Sequence, residues 1–242
     1  MRNIKLIIEY DGTNYHGWQF QPERRTVQSE LEKALLQLTQ EQVKLYCAGR
    51  TDTGVHALGN VVNFNTESKL ALTIFEKGLN RFLPLDIRII KAEEVAADFH
   101  ARFSAKYRKY RYVISPIRHA IGRRYQWYCR YQLNFELIQQ ASQYLIGEHD
   151  FQAFSKADPQ QPHYLSDVVA LTWEQKDDCF VMEITANRFL HNMVRIIVGT
   201  MVEVGRGNLN PEQIPEILAS RNRKLAGKTV PPNGLILVEV GY

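Results

Sequence analysis

The stretch VKLYCAGRTDTGVHALGNVVNFN, residues 43–65, holds two strand-like runs with no helix between them. Val43 to Cys47 is the first and Asn60 to Phe64 the second, each rich in apolar and β-branched residues. Their connection, CAGRTDTGVHA, runs from Cys47 to Ala57 and carries Asp52 between Thr51 and Thr53. Arg50 lies two residues before the Asp and Gly54 two after it. Two readings of Asp52 stand side by side. In one, the Asp and Thr side chains bond their own backbone in a turn. In the other, the loop presents a single carboxylate at the mouth of a cleft.

Working outward, Ile4 to Tyr10 (IKLIIEY) reads as a buried strand, followed by the loop DGTNYHGWQFQPERR. Thr26 is placed to cap a helix whose apolar stripe is Val27, Leu31, Ala34, Leu35 and Leu38. Beyond the paired strands, Thr73 is expected to cap a second helix with Ile74, Leu79, Phe82 and Leu83 on its apolar face. Pro84 lies just past that helix, and Ile87 to Val95 reads as a strand. Residues 1–105 therefore run β-α-β-β-α-β, the ferredoxin-like order.

Residues 106–242 are expected to repeat it. Tyr107 to Ser115 is a strand, and Tyr125 to Arg130 an added one. Asn134 caps a helix with Leu137, Ile138, Ala141 and Leu145 inward and Gly147 at its end. Val168–Glu174 and Phe180–Thr185 flank the turn-like Lys176-Asp177-Asp178. Leu190 to Val204 is the clearest helix, with Met193, Val194, Ile197, Val198, Met201 and Val202 at helical spacing. A short helix after Pro211 and a last strand, Leu235 to Val240, complete the pattern. The expected fold is α+β: two ferredoxin-like halves, 1–105 and 106–242, sharing one continuous mixed sheet with helices packed on it.

Composition narrows the function. Thirty basic and 26 acidic residues in 242 leave a formal charge of +4, so local clusters matter more than the total. Three cysteines, Cys47, Cys129 and Cys179, are far apart and in no metal-ligand spacing. The histidines are scattered, and no metal site is expected. No Walker A sequence and no G-x-G-x-x-G after a strand is present, which weighs against nucleotide-cofactor binding. No apolar run is long enough for a membrane span, and Met1-Arg2-Asn3 opens straight into a strand-like run, so the cytoplasm is the expected location.

The charge clusters alternate with aromatics. FHARFSAKYRKYRYVI, Phe99 to Ile114, interleaves Arg102, Lys106, Arg108, Lys109 and Arg111 with Phe103, Tyr107, Tyr110 and Tyr112. Strand alternation places Arg108, Tyr110 and Tyr112 on one face and Lys109 and Arg111 on the other. Such a segment is either an RNA-contacting surface, with cations for phosphates and rings for bases, or a basic strand edge that discourages aggregation. Arg24 and Arg25 form another basic pair. Arg195 stands between Val194 and Ile196 in the most apolar helix, where it either snorkels to water or meets a carboxylate, with Asp52 the most suggestive candidate.

Together these residues resemble the bacterial tRNA pseudouridine synthase A family. The resemblance is carried by EYDGTNYHGWQFQ, AGRTDTGVHA, FHARFSAKYRKYRYVI, HDFQAF, FLHNMVRIIVG and GLILVEV, in that order along almost the whole chain. Pro231-Pro232-Asn233 departs from the family pattern just before Leu235. The resemblance implies a pseudouridine synthase fold and a homodimer without cofactor. It implies isomerisation of uridine at positions 38, 39 and 40 of the tRNA anticodon stem-loop. Asp52 matches the catalytic aspartate, Tyr110 the tyrosine facing the target base, and Arg195 the basic partner of the aspartate. Leu235 matches the apolar residue lining the pocket, and Arg50 the arginine associated with base extrusion. Arg24, Arg25, Lys106, Arg108 and Lys109 are expected on the RNA backbone. The rival reading is a non-catalytic RNA-binding protein of two ferredoxin-like modules, which would need neither Asp52 nor Arg195. A metal-dependent nuclease would want several convergent carboxylates, and the loop has one.

Overall fold

The computed structural model describes residues 1–157, 161–176 and 178–242. The chain divides into two compact units, Met1–Lys106 with Ile236–Tyr242, and Tyr107–Leu235.

In the first unit β1 (Arg2–Tyr10), α1 (Val27–Thr39), β2 (Tyr46–Cys47), β3 (His56–Thr66), α2 (Leu72–Phe82) and β4 (Ile87–Val95) follow the expected order. β1 lies antiparallel to both β3 and β4, and β2 antiparallel to β3, which is the ferredoxin-like arrangement. Alternation along β1 turns Ile4, Leu6, Ile8 and Tyr10 inward. The same core takes Val27, Leu31 and Leu35 of α1 with Phe75 and Leu79 of α2, and Phe64 meets Phe75 at 5.9 Å between ring centroids. Thr26 caps α1 as expected, accepting the Ser29 N–H in a capping box.

The start of α2 differs from the sequence reading. Its N-cap is Ala71, with no side-chain bond, and Thr73 lies inside the first turn. Arg2 explains the early start: its guanidinium donates to the carbonyls of Ser68 (3.0 Å) and Leu70 (2.8 Å), fixing the entry upstream of Thr73. The buried stripe is Phe75, Leu79 and Leu83, while Ile74 and Phe82 are 43% and 47% exposed.

The second unit holds β5 (Tyr107–Ser115), β6 (Trp127–Tyr128), α3 (Phe135–Gln143), β7 (Gly147–Asp150), β8 (Leu165–Lys176), β9 (Cys179–Ala186), α4 (Met193–Gly205) and α5 (Ile214–Ser220). β5 pairs antiparallel with β9, β9 with β8 and β8 with β7, while β6 runs parallel to β5. β5, β9 and β8 thus repeat the relation of β1, β3 and β2. Asn134 caps α3 by accepting the Leu137 N–H at 3.2 Å. Gly147 does not end that helix; it opens β7, at φ +102°. α4 starts at Met193 because Asn192 is left-handed at φ 63°. The Lys176-Asp177-Asp178 turn includes Asp177, which lies outside the described residues.

The last strand, β10 (Leu235–Gly241), differs in its placement from the sequence reading, which gave it to the second half. From Ile236 onward it belongs to the first unit, pairing parallel with β3 at Ile236–His56 and Leu237–Ala57. β3 has the length to take both β2 and β10 on one edge, β10 at its start and β2 at Val62 and Asn63. Among the described residues no helix is long and apolar enough to cross a membrane, and no group of His, Cys, Asp and Glu is placed to hold a metal ion.

Candidate active site

The loop from Cys47 to Ala57 is held by buried bonds on several sides. Thr51 is buried, with its hydroxyl 2.7 Å from the Tyr10 phenol. Asn60, fully buried on β3, donates to the Tyr10 oxygen (3.2 Å) and to the carbonyl of Gly49 (2.9 Å). From the facing loop, Trp18 N–H donates to the Thr51 carbonyl at 3.0 Å, and Gly54 N–H donates back to the Tyr15 carbonyl at 3.3 Å. Gly17 allows that approach, because a Cβ on it would lie 2.7 Å from the Thr51 oxygen at φ +86°. Val55 N–H closes a turn on the Asp52 carbonyl at 3.1 Å. Asp52 is therefore a turn residue through its backbone, and the residue is half-buried between buried Thr51 and exposed Thr53. Arg50 is exposed on the same loop.

The facing loop packs inward. Trp18 is 2% exposed and Tyr15 is equally buried. The Tyr15 hydroxyl donates to Asp86, whose two oxygens also accept from Arg25 at 3.1 and 3.2 Å. The Arg25 guanidinium lies 4.3 Å from the Tyr15 ring centre. Burial and then Asp86 raise the Tyr15 pKa far above its ordinary value.

In the second unit β5 alternates as expected, with Arg108, Tyr110 and Tyr112 buried and Lys109 and Arg111 on the other face. Tyr110 meets Phe189 edge-on at 5.0 Å. Tyr112 donates its hydroxyl to the Pro231 carbonyl at 2.7 Å, and burial drives its pKa well up against the opposing pull of Arg195. Arg195 donates from Nε to the Val230 carbonyl and from Nη1 to Asn192 Oδ1, both at 2.8 Å.

Two glycines bring the 227–231 segment onto α4. A Cβ on Gly199 would stand 1.8 Å from the Lys228 oxygen, and one on Gly227 would stand 2.5 Å from the Gly199 carbonyl. Gly227 N–H donates to Thr200 Oγ1 at 2.9 Å. The segment continues through a 3₁₀ turn, Pro232–Gly234, into buried Leu235. Gly234 sits against the Tyr112 ring, where a Cβ would come within 2.7 Å. One structural run thus links Arg195, Val230, Tyr112 and Leu235, with Tyr110 two residues along the same strand face.

A family model described as tRNA pseudouridine synthase matches residues 6–104 and 141–242. The chain belongs to the tRNA pseudouridine synthase family. Relatives named tRNA pseudouridine synthase A align over essentially their whole length. That of Acetivibrio thermocellus is 48% identical over 244 residues, covering 100% of both chains. That of Thermoanaerobacter pseudethanolicus is 46% identical, again with 100% coverage of both. That of Bacillus pumilus is 43% identical over 99% of this chain and 98% of its own. The family thus makes the chain an isomerase acting on tRNA.

Within this tRNA pseudouridine synthase, Asp52 and Arg50 lie in the first matched block and Arg195 and Leu235 in the second. Tyr110 falls in the stretch between the two blocks. The five cations expected on RNA divide by their settings. Arg24 and Lys106 are exposed. Arg25 is engaged with Asp86, and buried Arg108 donates to the Asn187 carbonyl at 2.8 Å. Lys109 and Arg111 share Glu183, at 2.6 and 2.7 Å. Hydrogen bonding from Lys109, followed by Arg111, holds the Glu183 carboxyl below the usual range. A cavity of about 600 Å³ beside Tyr144, His149 and Arg221 and one of about 320 Å³ beside Arg118, Arg123 and Trp127 are lined by none of the expected site residues.

The sequence reading missed Tyr10, Asn60, Val230 and Phe189. Gly199 carried a signal: a glycine inside an apolar helix costs about 1 kcal/mol against alanine, and so marks a close approach.

Proposed function

We propose that this chain isomerises uridine to pseudouridine at positions 38, 39 and 40 of the tRNA anticodon stem-loop, with Asp52 as the carboxylate acting on a flipped-out nucleotide. The observation that carries the assignment is the pinned Asp52 loop. Its backbone is fixed through Thr51, Tyr10, Asn60 and Trp18, while Asp52 itself is only half-buried. Preorganisation of that kind suits a group that must meet one sugar atom.

The chemistry is internally balanced. The N1–C1′ bond breaks and a C5–C1′ bond forms; C5 gives up its proton and N1 takes one. No electrons are exchanged, so the reading assigns no cofactor. Asp52 acts either as nucleophile at C1′ or as base on the sugar. Arg195 supplies a guanidinium that remains charged and is held in orientation by Val230 and Asn192. Tyr110 and Leu235 flank the uracil, and Arg50 assists extrusion. Unstacking a paired uridine costs on the order of a few kcal/mol, which contacts to the tRNA backbone, including those of Arg24 and Lys106, offset. The working species in this reading is a homodimer.

The test is Asp52→Asn, read by tritium release from tRNA labelled at uridine C5. The expected result is a folded protein that binds tRNA and releases no label. Substantial remaining turnover would remove Asp52 from the chemistry.

A further inference from the structure

The end of FHARFSAKYRKYRYVI that precedes β5 forms a fixed turn carrying an exposed ring. Ala101 is fully buried, and its N–H donates to Asn63 Oδ1 at 2.8 Å. Its carbonyl accepts the Tyr242 hydroxyl at 2.8 Å. His100 Nδ1 accepts the Arg102 N–H at 3.1 Å and the Phe103 N–H at 3.4 Å, and Ser104 N–H returns to the His100 carbonyl at 2.9 Å. Despite this locked backbone, Phe103 is 75% exposed. The ring thus keeps most of its surface open to a ligand while its backbone is fixed.

Phe103 is the outer rung of a ladder. Its centroid lies 4.4 Å from that of His100, with 36° between the planes, and His100 lies 4.7 Å from Tyr46 of β2. Each end of the ladder carries a cation: Lys44 is 5.4 Å from the Tyr46 ring centre and Arg102 5.5 Å from that of Phe103. Protein interfaces deplete lysine around their aromatic centres, and Lys44 stands at one end of this ladder. Rings flanked by cations instead fit a polyanion with flat bases, where stacking and phosphate neutralisation work together.

We propose that Tyr46, His100 and Phe103 form a stacking platform for an unpaired nucleobase of tRNA, with Lys44 and Arg102 on the flanking phosphates. The base in question is one other than the uridine being isomerised, since the platform stands outside the Asp52 loop. The inference rests on the reading that tRNA is the substrate. It adds a second point of grip that resists rotation of the RNA while the target base is out.

The experiment is equilibrium binding of unmodified tRNA to the full chain and to Phe103→Ala, Phe103→Leu and Phe103→Trp. Phe103→Ala should weaken Kd by roughly tenfold, as loss of one stacked base does, with Phe103→Leu intermediate and Phe103→Trp near the parent value. The introduced indole should also be quenched by tRNA beyond any change in the parent protein. Phe103→Leu should leave the slope of log K against log salt unchanged, whereas Lys44→Ala with Arg102→Ala should lower it by about one per phosphate lost. Unchanged tRNA affinity in Phe103→Ala, with an unchanged melting temperature, overturns the platform. So does a Phe103→Ala variant that binds tRNA normally but changes its oligomeric mass, since the ring would then face a second copy. Pseudouridine formation by the parent protein is read in parallel. Its absence counts against the function, whereas activity with normal binding by the variants counts against the platform alone.

Discussion

The hydroxyl oxygens of Tyr10 and Thr51 lie 2.7 Å apart in a buried setting. This contact ties the end of β1 to the residue before Asp52, and Asn60 completes it by donating to the same phenol oxygen. Tyr10→Phe keeps the ring and deletes that oxygen, so Asn60 and Thr51 each lose a partner. The expected stability cost is about 1–3 kcal/mol, the usual range for stranding a buried polar group. On the role proposed for Asp52, turnover should fall at least about tenfold with KM little changed, because the loop that carries it would lose its tether while substrate contacts remain. Urea unfolding and steady-state kinetics check both parts; a variant with parental kcat would show that the tether does not position Asp52.

Gly199 reports on the other run of contacts. Alanine there would gain about 1 kcal/mol of helix propensity, yet its Cβ would meet the Lys228 carbonyl at 1.8 Å. The clash is with backbone, so the 227–231 segment must move, at a typical cost of about 1–3 kcal/mol or more. Gly199→Ala should therefore melt lower and lose activity per folded molecule, because the same segment leads to Leu235, which the proposed function places beside the uracil. A variant as stable as the parent would mean the segment shifts without strain.

Elements whose signal is local were legible in the sequence. β4 and β5 were bounded correctly from composition and alternation, and Thr26 from its place before an amphipathic stripe. What failed depended on distant partners. Thr73 looked like a cap, but Arg2 sets the start of α2 from about 70 residues away in the chain. Nothing within Leu235–Val240 says that it will pair with β3, because a strand's own pattern does not name its neighbour. The site divides the same way. The motif around Asp52 was readable, as was the anomaly of Arg195 in an apolar helix. Its partner Val230 lies 35 residues on, and the partners of Arg25, Arg108 and Lys109 on other elements are equally silent in the sequence.

Glu183 gives the acid limb of stability a specific source. Lys109 chiefly, and Arg111 with it, lower its folded pKa below the unfolded carboxylate value of about 4.3. A depressed pKa contributes stability that is present above the unfolded value and is lost as pH falls through the folded one. The side chains are partly exposed, so the contribution at neutral pH should stay under about 1 kcal/mol. Glu183→Gln should thus cost little at pH 7 and show a shallower loss between about pH 5 and 3 than the parent. Urea midpoints across that range test it, and identical slopes for the two proteins would rule Glu183 out as a contributor.

Arg195 holds two acceptors through two nitrogens of its planar guanidinium, a fork that lysine lacks. Its Nε–H goes to the Val230 carbonyl and its Nη1 to Asn192 Oδ1, while the next residue, Pro231, accepts from Tyr112. Arg195→Ala leaves the carbonyl of buried Val230 without its guanidinium donor, at an expected cost of about 1–3 kcal/mol. Arg195→Lys keeps the charge but not the fork, so it should recover part of the stability and little of the activity. On the role proposed for Arg195, turnover per folded molecule should fall by roughly two orders of magnitude or more in Arg195→Ala, as loss of an electrostatic group at a reacting centre does. The tRNA Kd should move much less. Melting curves, tRNA binding and tritium release on the same samples separate the proposed catalytic role from the structural one. If Arg195→Ala lowers the melting temperature while each folded molecule still turns over at the parental rate, Arg195 serves only to dock the 227–231 segment on α4.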